Sequence, residues 1–375
     1  MLSCGEASGD LYAGALVRAM RELAPGLEAF GLGGPSLAAA GADLVADYRG
    51  ISVTGLVEAL SVLRRSWALL GALEAAARDR KPDVFVAIDF PDFNFRLLPR
   101  LHALGIPIVY YVSPQLWAWR PGRIKTILRY VRKMLVLFPF ETAIYERAGV
   151  PVEFVGHPLI DLIATSGARA DWLAAHGLDA ARPIVALLPG SRPNEVARIL
   201  PELTAGAQLI RDRIPGVQFV VARAPGLDDT LFAPLDALGD RGARGTAVVV
   251  DGHADDVLEA ADVVVTASGT ATVQTALHDR PMVMVYRLSP MTYRIGRSFV
   301  RVRQYAMVNL VAGRSIVPEL VQDGFTAEAV ARETVSLLTD RTRADAMRRD
   351  LAQVRDALGA PGASRRAAKA VLGVG

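Results

Sequence analysis
The fold is indicated first by residues 263–274, which read VVVTASGTATVQ. The β-branched run is typical of a strand buried on both faces, and the Ser-Gly-Thr turn after it begins a helical pattern. The same succession of apolar strand, polar turn and helix recurs along the chain. Strands that alternate with helices predict parallel sheets covered by helices on both faces. The expected fold class is therefore α/β.

The number of apolar runs predicts two doubly wound, Rossmann-like domains rather than one. A polar helical stretch after Gly156-His157-Pro158 separates two series of strands, so we expect residues 1–160 to form the first domain and residues 161–340 the second. The helical tail, residues 341–375, can pack back on the first domain. The predicted strands are Val84–Asp89, Ile106–Val112, Met134–Phe138, Val152–Val155, Ile184–Leu188, Val217–Ala222, Ala247–Asp251, Val263–Thr266 and Met282–Tyr286.

The beginning of the sequence is unusual for such a domain. Only Leu2-Ser3-Cys4 precedes the turn at Gly5, so we expect either a very short first strand or a true start a few residues upstream. No secretory signal is recognisable. The charge-free window between Arg100 and Arg120 is broken by glycine and proline, so it does not predict a membrane span. We expect a cytoplasmic protein.

Composition excludes several classes of protein. The 375 residues are 51% hydrophobic and 22% charged, which is too apolar for a disordered chain. The single cysteine, Cys4, excludes an intrachain disulfide and argues against a cysteine zinc site. The net charge of +3 comes without a basic block interleaved with aromatic residues, so no nucleic-acid partner is expected.

Polar clusters follow the predicted strands, at the edge where open parallel sheets bind ligands. Two such edges that face each other would form a cleft. The clusters are residues 5–10 (GEASGD), 89–94 (DFPDFN), 113–120 (SPQLWAWR), 138–141 (FPFE), 156–158 (GHP), 189–192 (PGSR) and 267–272 (ASGTAT).

Two of these clusters are suited to an anion. Ser268-Gly269-Thr270 opens a helix, whose N-terminal N–H groups and dipole attract negative charge. Taken alone it is more simply an ordinary N-cap. Gly190-Ser191-Arg192 adds a forked donor, although it too could be an exposed turn. Together they favour a diphosphate, whereas the fingerprints of ATPases and classical dinucleotide sites are absent from the sequence.

Asp89 is the best candidate for a catalytic group. Five apolar residues precede it, so it ends a buried strand, where a carboxylate can act as general base towards a hydroxyl. Asp92 is better explained as a helix cap, with Asn94 following it. A metal held by Asp89 and Asp92 is not expected, because no histidine lies nearby in the sequence.

Further polar candidates have structural alternatives. Ser8 and Asp10 could cap the first helix, whereas Glu6 lies before the cap and is harder to explain structurally. His157 stands at a strand end between the domains, and the functional and structural interpretations are equally open. Glu141 fits the first turn of a helix better than a ligand site.

Apolar and basic stretches suggest contact with a lipid. Leu56–Leu73, which includes Trp67, is too apolar for a helix with one buried face. Arg294, Arg297 and Arg301 share one face of a predicted helix and suit lipid phosphates, although a solvated face is the simpler explanation. The loop residues Trp117, Trp119 and Arg120 could line an apolar groove or fold on themselves.

These motifs, in this order, resemble the lipid-A-disaccharide synthase family, family 19 of the glycosyltransferases. The resemblance runs from residue 3 to about residue 350, and it includes Asn309-Leu310-Val311-Ala312-Gly313-Arg314 besides the clusters named above. It implies a GT-B fold and a peripheral enzyme at the inner face of the inner membrane, with no cofactor and no metal. It leaves a homodimer open, since the family can dimerise.

The resemblance also implies a reaction. The family transfers 2,3-diacylglucosamine from its UDP derivative to the 6-hydroxyl of 2,3-diacylglucosamine 1-phosphate, with inversion to a β-1,6 linkage and release of UDP. Asp89 would be the base, with Glu6 and His157 as further catalytic candidates. Ser191, Arg192 and the Ser268–Thr270 helix start would hold the diphosphate, with Asn309 and Arg314 near the donor. The remaining candidates fall on the acceptor and lipid side: Ser8, Asp10, Asp92, Asn94, Trp117, Trp119, Arg120, Glu141, Trp67, Arg294, Arg297 and Arg301.

One position departs from the family pattern. Gln274 stands where the family usually has a glutamate, which would accept hydrogen bonds from both ribose hydroxyls. The amide can accept one bond and donate one, so we expect weaker retention of UDP. On this sequence argument a Gln274→Glu substitution should lower the KM for the donor.

Two other functions remain open at this point. A UDP-sugar 2-epimerase would share the general fold, but it would not need the apolar Leu56–Leu73 stretch. A non-catalytic lipid-binding relative would be consistent with the short beginning and with Gln274. Release of UDP from the two acylated sugars separates the three alternatives.

Overall fold
A computed structural model describes residues 1–50, 56–116, 121–239, 247–289, 293 and 304–375, without the side chains of residues 50, 56–64 and 121. The chain forms two compact units. The first contains Met1–Leu162 and Leu358–Gly375, and the second is the continuous stretch Ile163–Ala357.

The first unit is built on a parallel sheet with the order β3-β2-β1-β4-β5-β6-β7. Its strands are β1 (Leu2–Ser3), β2 (Phe30–Gly33), β3 (Asp43–Asp47), β4 (Phe85–Ile88), β5 (Ile108–Tyr111), β6 (Lys133–Val136) and β7 (Val152–Phe154). Its helices are α1 (Ala7–Leu23), α2 (Pro35–Ala39), α3 (Leu56–Arg80), α4 (Pro91–Ala103), α5 (Ile124–Tyr130), α6 (Pro139–Arg147), α7 (Leu159–Leu162) and the C-terminal helix Ala363–Leu372.

The second unit repeats this design with the order β10-β9-β8-β11-β12-β13. Its strands are β8 (Ile184–Leu188), β9 (Gln218–Arg223), β10 (Ala247–Asp251), β11 (Val263–Ala267), β12 (Met282–Tyr286) and β13 (Glu319–Val321). Its helices are α8 (Arg169–Ala175), α9 (Pro193–Arg213), α10 (Ala254–Ala260), α11 (Thr270–Leu277), α12 (Met307–Ala312), α13 (Ala327–Thr339) and α14 (Arg341–Ala357).

The central strands are buried on both faces, because helices cover each sheet on both sides. All residues of β4, β5 and β11 are buried, and their apolar side chains belong to the core of their own unit. This burial explains why these strands lack polar alternation in the sequence. The predicted α/β class with two doubly wound domains is confirmed.

Three strands were missing from the prediction, and each has a local reason. β2 reads FGLG, and glycine lowers strand propensity. β3 is an edge strand that begins and ends with aspartate, and β13 has three residues. The predicted bounds of Ile184–Leu188, Ala247–Asp251 and Met282–Tyr286 match the structure, whereas other predicted strands end one or two residues differently.

The helical tail is divided between the two units. Arg341–Ala357 packs against α11 and α12 of the second unit. Leu358–Gly375 belongs to the first unit, where the C-terminal helix packs against α1. We had expected the whole tail from residue 341 to be able to pack on the first domain. Only its last part, Leu358–Gly375, belongs to the first unit. In the described parts of the chain, no helix is both long and apolar enough to cross a bilayer.

Candidate active site
Both sheets reverse their strand order at one place, which is where doubly wound folds bind ligands. In the first unit the reversal lies between β1 and β4, and in the second it lies between β8 and β11. Asp89 directly follows β4. The anion-suited turns Gly190-Ser191-Arg192 and Ser268-Gly269-Thr270 directly follow β8 and β11. The candidates predicted from strand ends therefore lie at the switch points.

Asp89 is held in an unusual backbone conformation. Its φ is +45° and that of Phe90 is +48°, in the left-handed region that non-glycine residues rarely adopt. The Asp89 carbonyl oxygen accepts hydrogen bonds of 2.8 Å from the Tyr110 hydroxyl and from the Asn94 amide. Burial raises the pKa of Tyr110 well above its usual range, so its hydroxyl remains a donor. Strain of this kind is concentrated at functional sites.

The turn after β1 lies directly beside Asp89-Phe90. Ser3 of β1 pairs with Ala87 of β4, so the next residues of both strands run on side by side. A Cβ atom on Gly5 would collide with the Phe90 ring, which explains the glycine. Glu6 precedes α1 without capping it, and both Glu6 and Ser8 are partly exposed. The structure therefore brings Glu6 and Asp89 to the same part of the sheet edge.

Asp10 and Asn94 serve the framework instead. The Asp10 carboxylate, 2% exposed, accepts bonds from the backbone N–H groups of Gly34, Ser36 and Leu37. Asp10 thus caps α2. The structural alternative drawn from the sequence had expected it to cap the first helix instead. Asn94 is fully buried and bonds to both Ser3 and Asp89. These contacts give both side chains structural roles, and their predicted place on the acceptor side stays a prediction.

His157 and Glu141 are also buried. The Nδ1 atom of His157 accepts a bond of 3.2 Å from the Leu159 N–H, and its ring packs against those of Tyr12 and Phe138. Burial lowers the pKa of His157 to about 3, so the imidazole is neutral near pH 7 and poorly suited to proton transfer. Glu141 accepts from the Phe138 N–H at the start of α6. Both arrangements favour structural roles.

The remaining candidates of the first unit lie on its surface or outside the described residues. Asp92 is exposed and forms an ion pair with Arg123. Trp67 is 52% exposed, with the guanidinium of Arg100 5.5 Å from its ring centre. The candidates outside the described residues are Trp117, Trp119, Arg120, Arg294, Arg297 and Arg301.

The turn after β8 is glycine-dependent and exposed. Gly190 has φ +119°, and a Cβ atom there would lie 2.8 Å from an oxygen of Glu195. Ser191 is exposed, and Arg192 forms a 3.0 Å ion pair with Glu195 in the first turn of α9. The guanidinium is half-exposed, so an incoming anion can reach it.

The turn after β11 leads into α11. Gly269 has φ +131°, and Ser268 donates its hydroxyl to the Tyr305 carbonyl at 3.0 Å. Thr270 begins the helix and is partly exposed. One turn later, the Gln274 amide donates to the Asp255 carboxylate at 2.7 Å. The Ser268 hydroxyl is therefore engaged, and this turn can offer an anion its backbone N–H groups and the Thr270 hydroxyl.

Asn309 and Arg314 are engaged in other contacts. Asn309 is fully buried, and its amide bonds to Glu319 and to the backbone of residues 316 and 317. Arg314 forms two hydrogen bonds with Asp350. The side chain of Asn309 thus has a structural role, and its predicted place near the donor stays a prediction.

Sequence reasoning missed three side chains that shape the site. Tyr110 fixes the Asp89 backbone, Glu195 pairs with Arg192, and Asp255 holds Gln274. Glu195 and Asp255 both lie just after strands, so the rule that located the other candidates could have found them. Among the described residues, no group of three or more histidine, cysteine, aspartate or glutamate side chains could hold a metal ion.

Solved structures share the fold. A UDP-GlcNAc 2-epimerase from Neisseria meningitidis bound to UDP-GlcNAc superimposes with a TM-score of 0.67 at 10% identity, covering 99% of this chain and 98% of its own. The glycotransferase of kitacinnamycin gives a TM-score of 0.64 at 20% identity, covering 99% and 97%. At these identities the likeness concerns the fold, which is of the GT-B type.

Sequence relatives are much closer. The Lipid-A-disaccharide synthase of Geobacter metallireducens is 44% identical over 373 residues, covering 99% of this chain and 96% of the relative. That of Koribacter versatilis is 45% identical over 380 residues, covering 100% and 98%. The family model described as Lipid-A-disaccharide synthetase matches residues 1–374. The chain is therefore a glycosyltransferase of lipid A disaccharide synthesis and belongs to the Lipid-A-disaccharide synthetase family.

Proposed function
We propose that the chain transfers 2,3-diacylglucosamine from its UDP derivative to the 6-hydroxyl of 2,3-diacylglucosamine 1-phosphate. The products are the β-1,6-linked disaccharide 1-phosphate and UDP. Family membership supports a UDP-sugar donor and a lipid acceptor. The observation that carries the residue assignment is the strained, hydrogen-bonded backbone of Asp89 at the switch point of the first sheet.

Asp89 acts as general base in this proposal. It accepts the proton of the acceptor hydroxyl while that oxygen attacks the anomeric carbon and the bond to UDP breaks. An α-linked donor that gives a β product is inverted once, so a single displacement suffices. Tyr110 and Asn94 bind the Asp89 carbonyl oxygen and so fix the backbone that carries the carboxylate. A fixed backbone favours the orientation of the carboxylate that proton transfer from the acceptor hydroxyl requires.

The second unit binds the nucleotide in this proposal. The turns after β8 and β11 would bind the diphosphate through backbone N–H groups and Arg192, which stabilise the negative charge that develops on the leaving UDP. Glu195 pairs with Arg192 before the donor arrives, so the anion must compete with this carboxylate for the guanidinium.

The lipid side is assigned to the first unit. The exposed Trp67 on α3, with Arg100 over its ring, suits the boundary between acyl chains and phosphate groups. We propose peripheral attachment to the inner face of the cytoplasmic membrane, together with assembly as a homodimer. Vesicle sedimentation and size measurement in solution test these two points.

UDP release tests the reaction. Wild-type protein should release UDP only when both acylated sugars are present. Release or conversion with the UDP-sugar alone would instead indicate an epimerase-like activity. Binding of both sugars without any release would indicate a non-catalytic relative and would overturn the proposal.

A further inference from the structure
Gln274 and Asp255 form a matched pair in the second unit. Gln274 lies on α11, the helix that begins at the proposed diphosphate turn, and its Nε2 donates to Asp255 Oδ1 at 2.7 Å. Among the described residues, its Oε1 accepts no hydrogen bond from the protein. An amide that uses its nitrogen in this way has only its carbonyl oxygen left for a ligand.

Asp255 is itself fixed by further donors. The same Oδ1 atom lies 2.9 Å from His278 Nε2, and Oδ2 accepts from the Ala164 N–H at 3.3 Å. Burial opposes ionisation of Asp255, but the bonds from His278 and Gln274 outweigh it, so the pKa of Asp255 lies below its usual value. At neutral pH this side chain is a charged acceptor, and the residue facing it must be a donor.

We propose that Asp255 is a positioning residue that sets both the identity and the orientation of residue 274. It binds the amide nitrogen and thereby leaves Oε1 to accept a hydrogen bond from a hydroxyl of the donor nucleotide. The inference rests on the proposed function for the presence of that nucleotide. It adds a residue that acts on the donor only through its neighbour.

The pair reverses the expectation drawn from the sequence for Gln274→Glu. A glutamate at 274 would place two carboxylates where a 2.7 Å hydrogen bond now lies. Two carboxylates at that distance repel each other, and the pKa of one of them rises strongly. In the presence of Asp255, the substitution should therefore weaken donor binding rather than strengthen it.

A double-substitution cycle tests the pair. UDP dissociation constants and donor KM are measured for wild type, Gln274→Glu, Asp255→Asn and the double variant. We expect Gln274→Glu to weaken UDP binding about tenfold, by like-charge repulsion. Asp255→Asn should change it by about threefold or less, because its carbonyl oxygen still accepts from Gln274. The double variant should bind as well as wild type or better, since the introduced asparagine amide can donate to the introduced glutamate.

A matched control uses the neighbouring carboxylate. Asp256 accepts from the Ser166 N–H at 2.6 Å and does not contact Gln274. Asp256→Asn combined with Gln274→Glu should therefore remain as weak as Gln274→Glu alone. In all variants kcat should stay within about twofold, because the effect is on binding of the ground state.

Three results would overturn the inference. They are UDP binding by Gln274→Glu equal to or tighter than wild type, a double variant no better than Gln274→Glu, and rescue by Asp256→Asn to the same extent. Melting temperatures separate a folding defect from a binding defect. If Gln274→Glu is unstable, Asp255→Ala replaces it in the test, because it removes the acceptor of the Gln274 amide and should weaken UDP binding more than Asp255→Asn does. Equal UDP binding by these two variants would also overturn the inference. Absence of UDP binding by wild type would instead count against the proposed function.

Discussion

The two strand-end loops Asp89–Asn94 and Ser268–Gln274 stand at equivalent switch points, yet they are built in opposite ways. The first places non-glycine residues at positive φ and fixes them with buried side chains of Tyr110 and Asn94. The second uses Gly269 for the unusual backbone and has partly exposed polar side chains.

The difference suggests a division of labour. Non-glycine residues at positive φ cost about 1–3 kcal/mol each, and such a cost persists only where the surroundings determine the geometry. The first loop therefore presents one carboxylate from a fixed backbone, whereas the second leaves backbone N–H groups open to an anion. Changes in the first loop should reduce the chemical step, and changes in the second should reduce binding.

The largest expected effect comes from removing the carboxylate that we propose as the base. Asp89→Asn should lower kcat by about 10²–10⁴-fold, because proton transfer is lost while shape is retained. UDP affinity should remain near wild type. Ser268→Ala, in the other loop, should keep kcat and weaken UDP binding only slightly. UDP-release kinetics measure kcat, and calorimetry measures UDP affinity, for both variants. An equal loss of kcat in the two variants would contradict the division of labour between the two loops.

The packing of the first loop can be tested at Gly5. Gly5→Ala adds a methyl group that collides with the Phe90 ring, so the free energy of unfolding should fall by about 1–3 kcal/mol. Gly26→Ala is the matched control, because a Cβ atom there meets nothing within 4 Å. Urea denaturation measures both. The tight packing inferred for the first loop fails if the two variants are equally stable.

The glycine turns of the second unit should differ in degree. Gly269→Ala introduces only backbone strain, whereas Gly190→Ala adds contact with the Glu195 carboxylate at 2.8 Å. We expect each to raise the UDP dissociation constant about tenfold, with the larger effect at Gly190. Adding Glu195→Ala to Gly190→Ala should remove the excess. Calorimetric titration with UDP measures the dissociation constants. If Gly190→Ala still binds UDP more weakly than Gly269→Ala after Glu195 is removed, Glu195 is not the cause of the difference.

A further expected effect is the acid sensitivity of the first unit. The pKa of His157 is lowered to about 3, so the unfolded chain binds a proton between that value and 6.5 while the folded chain does not. Stability should therefore fall as the pH drops below about 6.5, by up to about 1.4 kcal/mol per pH unit from this residue.

His157→Asn tests this contribution. The variant should lose less stability than wild type when urea denaturation is repeated at about pH 5 and about pH 7.5. His102→Asn, at an exposed position, is the matched control for the substitution itself. If the His157 variant keeps the full pH dependence, the buried neutral imidazole is not its source.

The sequence predicted the fold class and the strand ends because both depend on local patterns. Apolar runs such as residues 263–267 identify central strands, and parallel strands bring their carboxyl ends to one edge. For the same reason, the polar clusters that the structure describes follow the ends of strands. β2 was missed because two of its four residues are glycine, which lowers strand propensity.

The roles of individual polar side chains depend on distant partners, which spacing does not reveal. Asp10 meets the N–H groups of a helix 24 residues further along, and Asn94 bonds to Ser3 across 91 residues. The pairing of Gln274 with Asp255 likewise joins two loops that sequence reasoning treated separately. These residues were predicted to contact a substrate because the sequence does not show which distant residues they bind in the folded protein.

The route of the chain has a consequence for how the protein is made. The first unit needs Leu358–Gly375, whose Leu358 carbonyl accepts from the His157 N–H and whose C-terminal helix covers α1. The second unit is one uninterrupted stretch of chain, so it can fold during synthesis. At that stage α1 of the first unit is not yet covered by the C-terminal helix. Helix α1 thus gains the C-terminal helix that packs on it only after the whole second unit has been made. A chain that ends just before Leu358 would therefore contain the whole second unit but lack one segment of the first.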